Sequence, residues 1–303
     1  AQSFPSKPVT LMVPYPAGGV SDVIARTLNT TLAKHLGQPV IVENLGGASG
    51  GIAAQKVLAS PADGYTIFQG SPNELILAPL SNAAIKYKSE DFRLVQMITV
   101  NPLVMLARKD FPVANADQFL AYAKKAATDN KPVTYASVGP GSMYHLLGEH
   151  LSGLTGIEMT HVPYKGGAPA MQDLIGGRVA AYYSTLSTAL PHIESGKLIP
   201  LASTGTMRLS ALPKIPTIAE SGYPGFSATN WYAFVASSKV PTPVLDRWNT
   251  ELVKVLKSPD VIEQLNSHGL TPQPGTRDEF AKYMAKETAT WGRVIRERKI
   301  TAD

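Results

Sequence analysis

The stretch that decides the fold is Pro8–Arg26, PVTLMVPYPAGGVSDVIAR. Val9 to Tyr15 is a short apolar run bounded by prolines, the pattern of a buried strand. A helix opens at Ser21 or Asp22, where Ile24, Leu28, Leu32 and Leu36 recur every fourth residue and Gly37 supplies the stop. Between strand and helix lies the turn Pro16–Gly19. Its two glycines let the backbone turn tightly and come close to a ligand. Behind them the helix start offers unpaired N–H groups and a partial positive charge, which suit an anion. The turn therefore reads as a carboxylate holder, and Asp22 reads as a helix cap rather than a solute contact.

Outward from this unit the same plan of strand, glycine turn and helix recurs. A second strand over 39–43 leads through the turn 46–51 to a helix over 52–58. A third strand over 65–68 leads to Gly70–Leu75 and another helix. Residues 93–106, interrupted by Asn101 and Pro102, read as two strands or one long bent strand. From Pro112 a second set begins, with a helix over 117–128, a strand over 133–137, the turn 138–142 and a helix over 143–154. A strand over 159–162, the turn 163–167 and a helix over 168–175 follow. Strands over 179–183 and 198–203 flank a helix starting near Ser187. A strand over 230–237 and helices over 243–256, 259–268 and 276–299 complete the chain. The class is α/β, with βαβ units on parallel sheets. Two similar lobes are expected, joined without a flexible linker by strands near Leu103–Arg108 and Thr229–Ala236. Two such crossings imply a hinge with a cleft.

A chain of 303 residues, 44% hydrophobic and 17% charged, can bury a substantial core. It contains no cysteine, which excludes disulfides, thiolate metal sites and cysteine nucleophiles. No apolar run approaches the ~18 residues of a membrane span. Ala1-Gln2-Ser3 is expected to be a mature start left after removal of a signal peptide. The formal charge of +5 mildly favours an anionic ligand. The densest basic run, Arg293 to Lys299, lacks interleaved aromatics and reads as a solvated helix end rather than a nucleic-acid surface.

In open α/β sheets, ligands sit beyond the carboxyl ends of strands. Those ends carry Pro16–Gly19, Gly70–Asn73, Gly139–Ser142, Tyr164–Gly167 and Ser184–Ser187, all rich in small or hydroxylated residues that present N–H and O–H donors. Tyr15, Tyr144 and Tyr164 either wall the site for a planar ligand or are half-buried tyrosines. Lys165 reads as an exposed loop lysine before it reads as a carboxylate partner. Gly47–Gly51, GASGG, matches the G-x-S-x-G nucleophile elbow between a strand and a helix, so a serine hydrolase using Ser49 is an alternative. The match is short, lies in a glycine-rich segment and has no HGGG-type loop before it. The same glycines lack the spacing of a dinucleotide fingerprint, and no GxxxxGK[ST] occurs. His145 and Glu149, with His150 following, read as a helix-surface pair and not a metal site. No cofactor is expected.

Three long segments in order, VPYPAGGVSDVIAR, GGASGGIAAQKVLASPADGYTIFQGS and HVPYKGGAPAMQDLIGGRV, resemble the signatures of the Bug family, the periplasmic solute-binding proteins of tripartite tricarboxylate transporters. The resemblance runs through nearly the whole chain. It implies a two-lobed periplasmic-binding-protein fold of type II-like architecture, with hinge strands between lobes and the ligand cleft there. Residues 1–102 with 229–303 would form lobe one and 103–228 lobe two. It implies a non-enzymatic, periplasmic, monomeric receptor that delivers a small organic carboxylate to membrane subunits. Lobe one would hold one carboxylate through Tyr15, Ala17, Gly18, Gly19, Ser71 and Asn73. Lobe two would close on the far end with Ser137, Gly139, Ser142, Tyr164, Gly166, Gly167 and Thr185. Hydroxyls, a lysine and the tyrosines favour an aromatic mono- or dicarboxylate such as terephthalate, with an aliphatic dicarboxylate next. A sensor subunit that binds the same acids without transport is the remaining alternative.

Overall fold

The computed structural model describes residues 3–302. Its chain divides into two compact α/β units. The first comprises residues up to Val100 together with Trp231–Gly292, and the second Asn101–Asn230 together with Arg293 onward. The expectation had placed the whole C-terminal end in lobe one. Arg298 accounts for the difference: its Nε donates to Glu149 (2.8 Å) and its two terminal nitrogens to Glu158 (3.0 and 2.9 Å), both within the second unit. So the basic end is not wholly a solvated helix terminus. A planar guanidinium engages one carboxylate bidentately and another through its third nitrogen, which is the geometry arginine is built for.

In the first unit the parallel strands β1 (Val9–Val13), β2 (Val40–Asn44) and β3 (Thr66–Gly70) run in the order β2-β1-β3, and β9 (Thr229–Ser237) pairs antiparallel with β3. α1 (Val20–Leu36) buries Ile24, Leu28, Leu32 and Leu36 against this sheet and ends at Gly37, whose φ of 70° is the left-handed stop glycine adopts readily. α2 (Gly51–Ala59) follows β2, and α3 (Ala78–Ser81) follows a single π-helical turn over Asn73–Leu77. α8 (Thr242–Leu256) and α9 (Pro259–Ser267) return to the same core through Trp248, Leu252, Val255 and Leu265. Each such fully buried large side chain contributes about 1.5–3 kcal/mol, and Trp248 satisfies its N–H on the Gly64 carbonyl at 2.9 Å.

β4 (Phe92–Arg108) is one unbroken 17-residue strand, with Asn101 and Pro102 inside it. Its later half belongs to the second unit, where β7 (Ala181–Thr185) and β8 (Leu198–Ser203) pair with it antiparallel. β5 (Thr134–Ser137) lies parallel to both β6 (Thr160–Pro163) and β7. α4 (Ala116–Thr128), α5 (Met143–Thr155), α6 (Gly167–Ile175) and α7 (Leu186–Glu194) connect these strands. The core is Val104, Leu106, Ala136, Met171, Leu174 and Tyr182 with their neighbours. α10 (Arg277–Glu297) closes the chain. Among the described residues no helix is long and apolar enough to cross a membrane.

Because β1, β2 and β3 are parallel, their carboxyl ends and the turns after them share one edge of the first unit's sheet. β5, β6 and β7 do the same in the second unit. Parallel topology therefore gathers the glycine turns within each unit.

Candidate functional site

In the first unit Pro16 to Val20 are exposed, and α1 begins immediately behind them with Gly19 as its N-cap. The first amides of a helix have no carbonyl partner inside it, so this turn presents donors and the positive end of the helix dipole to solvent. Gly18 sits at φ 90°, a conformation that an L side chain rarely adopts. Its own N–H is engaged by the Asp22 carboxylate at 2.9 Å. Asp22 also accepts from Arg26 Nε (3.0 Å) and from Asn44 Nδ2 (3.0 Å), and the same Asn44 amide donates to the Tyr15 carbonyl at 3.1 Å. Burial opposes ionisation of Asp22, but the bonds from Gly18, Asn44 and Arg26 outweigh it and hold its carboxyl below the usual range. Asp22 thus supports the helix start from its third position.

Glu74 organises the same edge. It is fully buried at the first turn after β3, and its Oε2 accepts the Ser71 N–H and the Ser71 hydroxyl, both at 2.7 Å. Its Oε1 accepts the Tyr15 hydroxyl. Asn73 donates its N–H to the Ser71 hydroxyl at 3.3 Å. Burial, partly offset by these bonds, raises the Glu74 carboxyl above the usual range. Burial and the adjacent carboxylate also raise the Tyr15 phenol. Of the lobe-one candidates, Ala17, Gly18 and Gly19 are exposed, Tyr15 and Asn73 are half-buried, and Ser71 is buried with both donors directed at Glu74. Sequence reading missed Glu74 itself. The signal was present, since Ser71-Pro-Asn-Glu74 has the S-x-x-E spacing by which a glutamate returns to the backbone N–H three residues earlier.

In the second unit the turn after β5 is held by hydroxyls and imidazoles. Ser137 is buried, and its Oγ lies 2.5 Å from His161 Nε2 while accepting the Gly139 N–H at 3.0 Å. Ser142 caps α5 by accepting the His145 N–H, and its hydroxyl donates to the Gly139 carbonyl at 2.7 Å. The Gly141 N–H donates to His145 Nδ1 at 3.1 Å, which places that imidazole's proton on Nε2. The rings of His145 and His161 stack with centroids 3.8 Å apart and planes 6° apart. Burial, then the neighbouring His145, push His161 down to about 4, and burial lowers His145. The expected surface pair of His145 with Glu149 is only a 4.0 Å approach, because Glu149 is occupied by the Tyr135 hydroxyl (2.7 Å) and Arg298.

The turn after β6 carries Tyr164, whose hydroxyl donates to Asp173 at 2.8 Å, and Gly166 and Gly167 open α6. Gly166 sits at φ 142°, while Lys165 is exposed. Thr185 caps α7 by position, with its hydroxyl on Thr188 at 2.9 Å. Tyr144 stacks on Tyr182 at 5.8 Å rather than standing alone. A cavity of about 460 Å³ lies where β5 and β7 begin, at the other edge of this unit's sheet from the glycine turns. Of its basic residues, Arg108, Lys125 and Arg178 are paired with Asp110, Asp129 and Asp173, and Lys131 also lines it.

Ser49 of the hydrolase alternative is exposed, at φ 51°, and Ala48 before it is also left-handed at φ 47°. Among the described residues no group of three His, Cys, Asp or Glu is placed to hold a metal ion.

The family model described as tripartite tricarboxylate transporter family receptor matches residues 24–300. The chain is 36% identical over 299 residues to protein BugT of Bordetella pertussis, covering 98% of this chain and 91% of that one. Among solved structures it resembles Rpa4515 of Rhodopseudomonas palustris with adipate, at 34% identity and a TM-score of 0.82, covering 98% and 99% of the two chains. It also resembles MatC of the same organism with bound malate, at 31% identity and a TM-score of 0.78, covering 96% and 100%. The fold is that of the two-lobed periplasmic binding proteins, and the matched family is one of solute-binding receptors and not of enzymes, which leaves the Ser49 hydrolase reading without support.

Proposed function

Because the chain belongs to the family of tripartite tricarboxylate transporter receptors, we propose that it captures a small organic dicarboxylate in the periplasm, as a monomer, and delivers it to the membrane subunits of such a transporter. The observation that carries this reading is the exposed turn Pro16–Gly19 at the start of α1, braced from behind by Asp22 and Asn44. One carboxylate of the solute takes the outer amides of Ala17 and Gly19, beside Gly18, whose own N–H is held by Asp22, with Tyr15, Ser71 and Asn73 forming the floor of the site. Ser137, Gly139, Ser142, Tyr164, Gly166, Gly167 and Thr185 are the second unit's own candidates for solute contact. A hydrogen bond to a charged group contributes about 1.5–3 kcal/mol, so three or four account for micromolar capture against the freedom lost on binding.

An aliphatic dicarboxylate of the size of malate or adipate ranks first, because two receptors about one-third identical to this chain carry those acids. An aromatic acid such as terephthalate, placed first on sequence grounds, ranks second and is supported by the half-buried ring of Tyr15 beside the turn. A thermal-shift screen with malate, adipate, terephthalate and a neutral diamide control tests the reading. The expected outcome is a rise in Tm that follows RT ln(1 + [L]/Kd) for at least one of the three acids, with no shift from the diamide and no solute consumed. Equal shifts for acid and diamide, or no shift with any acid at millimolar concentration, would overturn it.

A further inference from the structure

Glu74 joins three loops of the first unit. Its carboxylate accepts the Tyr15 hydroxyl from the turn after β1 and both Ser71 donors from the turn after β3. The loop after β2 lies flat against it: a Cβ on Gly50 would stand 2.3 Å from Glu74 Cγ, and Gly50 holds φ 87°. Glu74 falls in the π-helical turn Asn73–Leu77, a local irregularity frequent at functional sites, where the Ala78 N–H reaches the Asn73 carbonyl. Its backbone carbonyl accepts the Tyr87 hydroxyl at 2.8 Å. The titratable groups that face it are therefore the phenols of Tyr15 and Tyr87. Among the described residues no Lys, Arg or His forms an ion pair with its carboxylate, whereas the nearby buried Asp22 has Arg26.

A buried carboxylate without a cation stands behind a turn whose proposed ligand is itself an anion. A buried carboxylate is harder to keep ionised when a second negative charge is brought near it without a balancing cation. We propose that Glu74 is a positioning residue of the solute site and that solute capture takes up one proton there, from solvent. The inference rests on the function proposed above. With Glu74 ionised, the Tyr15 hydroxyl points inward and donates to it. With Glu74 protonated, the carboxyl O–H donates to the Tyr15 oxygen, and the phenol turns its own proton outward to the solute carboxylate. A phenol both donates and accepts, so reversing its bond to Glu74 frees its one proton for the solute. One proton entering at Glu74 thereby removes a repelling charge and creates a donor. The upward direction in which burial moves the Glu74 carboxyl supports the same order of events.

The test is isothermal titration of the intact chain with adipate, or with whichever of malate and terephthalate binds, in two buffers of different ionisation heat from about pH 5.5 to about pH 8.5. For the unmodified protein the expected result is net proton uptake and an affinity that weakens with rising pH by up to about tenfold per pH unit, the limit for one linked proton. Glu74→Gln keeps the size and one acceptor oxygen; it is expected to show no uptake and a flat pH profile. Tyr15→Phe removes the donor that favours ionised Glu74, so that variant is expected to stay protonated over this range, to bind more weakly and to take up no proton, which keeps the test open if Glu74→Gln does not fold. Binding by the unmodified protein without uptake, or uptake unchanged in either variant, overturns the inference while leaving the receptor reading intact. A protein that binds none of the three acids overturns that reading and this inference with it.

Discussion

The two units solve one problem with different chemistry. Each gathers glycine turns at the carboxyl edge of a parallel sheet and braces them with buried or half-buried polar side chains. The first unit uses buried carboxylates: Asp22 holds Gly18, and Glu74 holds Ser71 and Tyr15. The second uses neutral imidazoles and hydroxyls: His161 meets Ser137, Ser137 holds Gly139, and His145 holds Gly141. A carboxylate brace directs every nearby donor inward and carries a charge unless protonated, whereas an imidazole brace is neutral until acid reaches it. The turns should therefore fail under different perturbations, and the comparison can be broken or sharpened accordingly.

The largest effects are expected from crowding the braces. Gly50→Ala puts a methyl group 2.3 Å from Glu74 Cγ at a residue with φ 87°, which combines overpacking with backbone strain. We expect a loss of about 2–4 kcal/mol and loss of solute binding. Gly148→Ala in α5 drives a methyl group 2.2 Å from the ring of Tyr135, which itself stacks against His161 at 5.3 Å. Having no unfavourable φ, it is expected to cost about 1–3 kcal/mol. Denaturant melts followed by adipate titration check both; a Gly50→Ala protein as stable as the unmodified chain would remove Glu74 from its place as the brace.

A smaller effect separates the units by pH. His161 is held down to about 4, mainly by burial and then by His145, against about 6.5 in an unfolded chain. Between those values the unfolded state binds more protons, so stability is fully present above about pH 6.5 and is lost as pH falls toward 4. The groups around the ring are Ser137, His145, Tyr135 and, through His145, Glu149. Because the pair is partly open to solvent, the loss expected is about 1–2 kcal/mol rather than the full shift. Thermal melts of His161→Phe should be flatter over this range than those of the unmodified protein, and an identical acid slope would show that the imidazole stack is not what titrates.

The order of elements was legible because the hydrophobic periods were clean. Leu28, Leu32 and Leu36 at fourfold spacing with Gly37 behind them leave little freedom for α1, and the alternation of strands with glycine turns gives the parallel sheets directly. Loop interiors were not legible in the same way. Ser71 reads as a free hydroxyl at a strand end, yet a glutamate three residues later takes both of its donors. His145 and His161 are 16 positions apart in the chain, and nothing in their spacing announces a face-to-face stack. Arg298 looked like one more cation at a helix end because its partners, Glu149 and Glu158, are supplied by tertiary structure about 140 residues upstream. Local pattern reports which residues are apolar and where the chain turns; it does not report which polar group has already spent its hydrogen bonds.

The central claim is that main-chain amides at the start of α1 grip a solute carboxylate. Titration of the nitrogen-15-labelled protein with adipate, or with malate or terephthalate if the screen selects it, reads those amides one by one. The account predicts downfield proton shifts at Ala17 and Gly19 that saturate with the binding isotherm, larger than the shift at Gly18, whose N–H is already bonded to Asp22. Saturable binding that leaves Ala17 and Gly19 unmoved would contradict it.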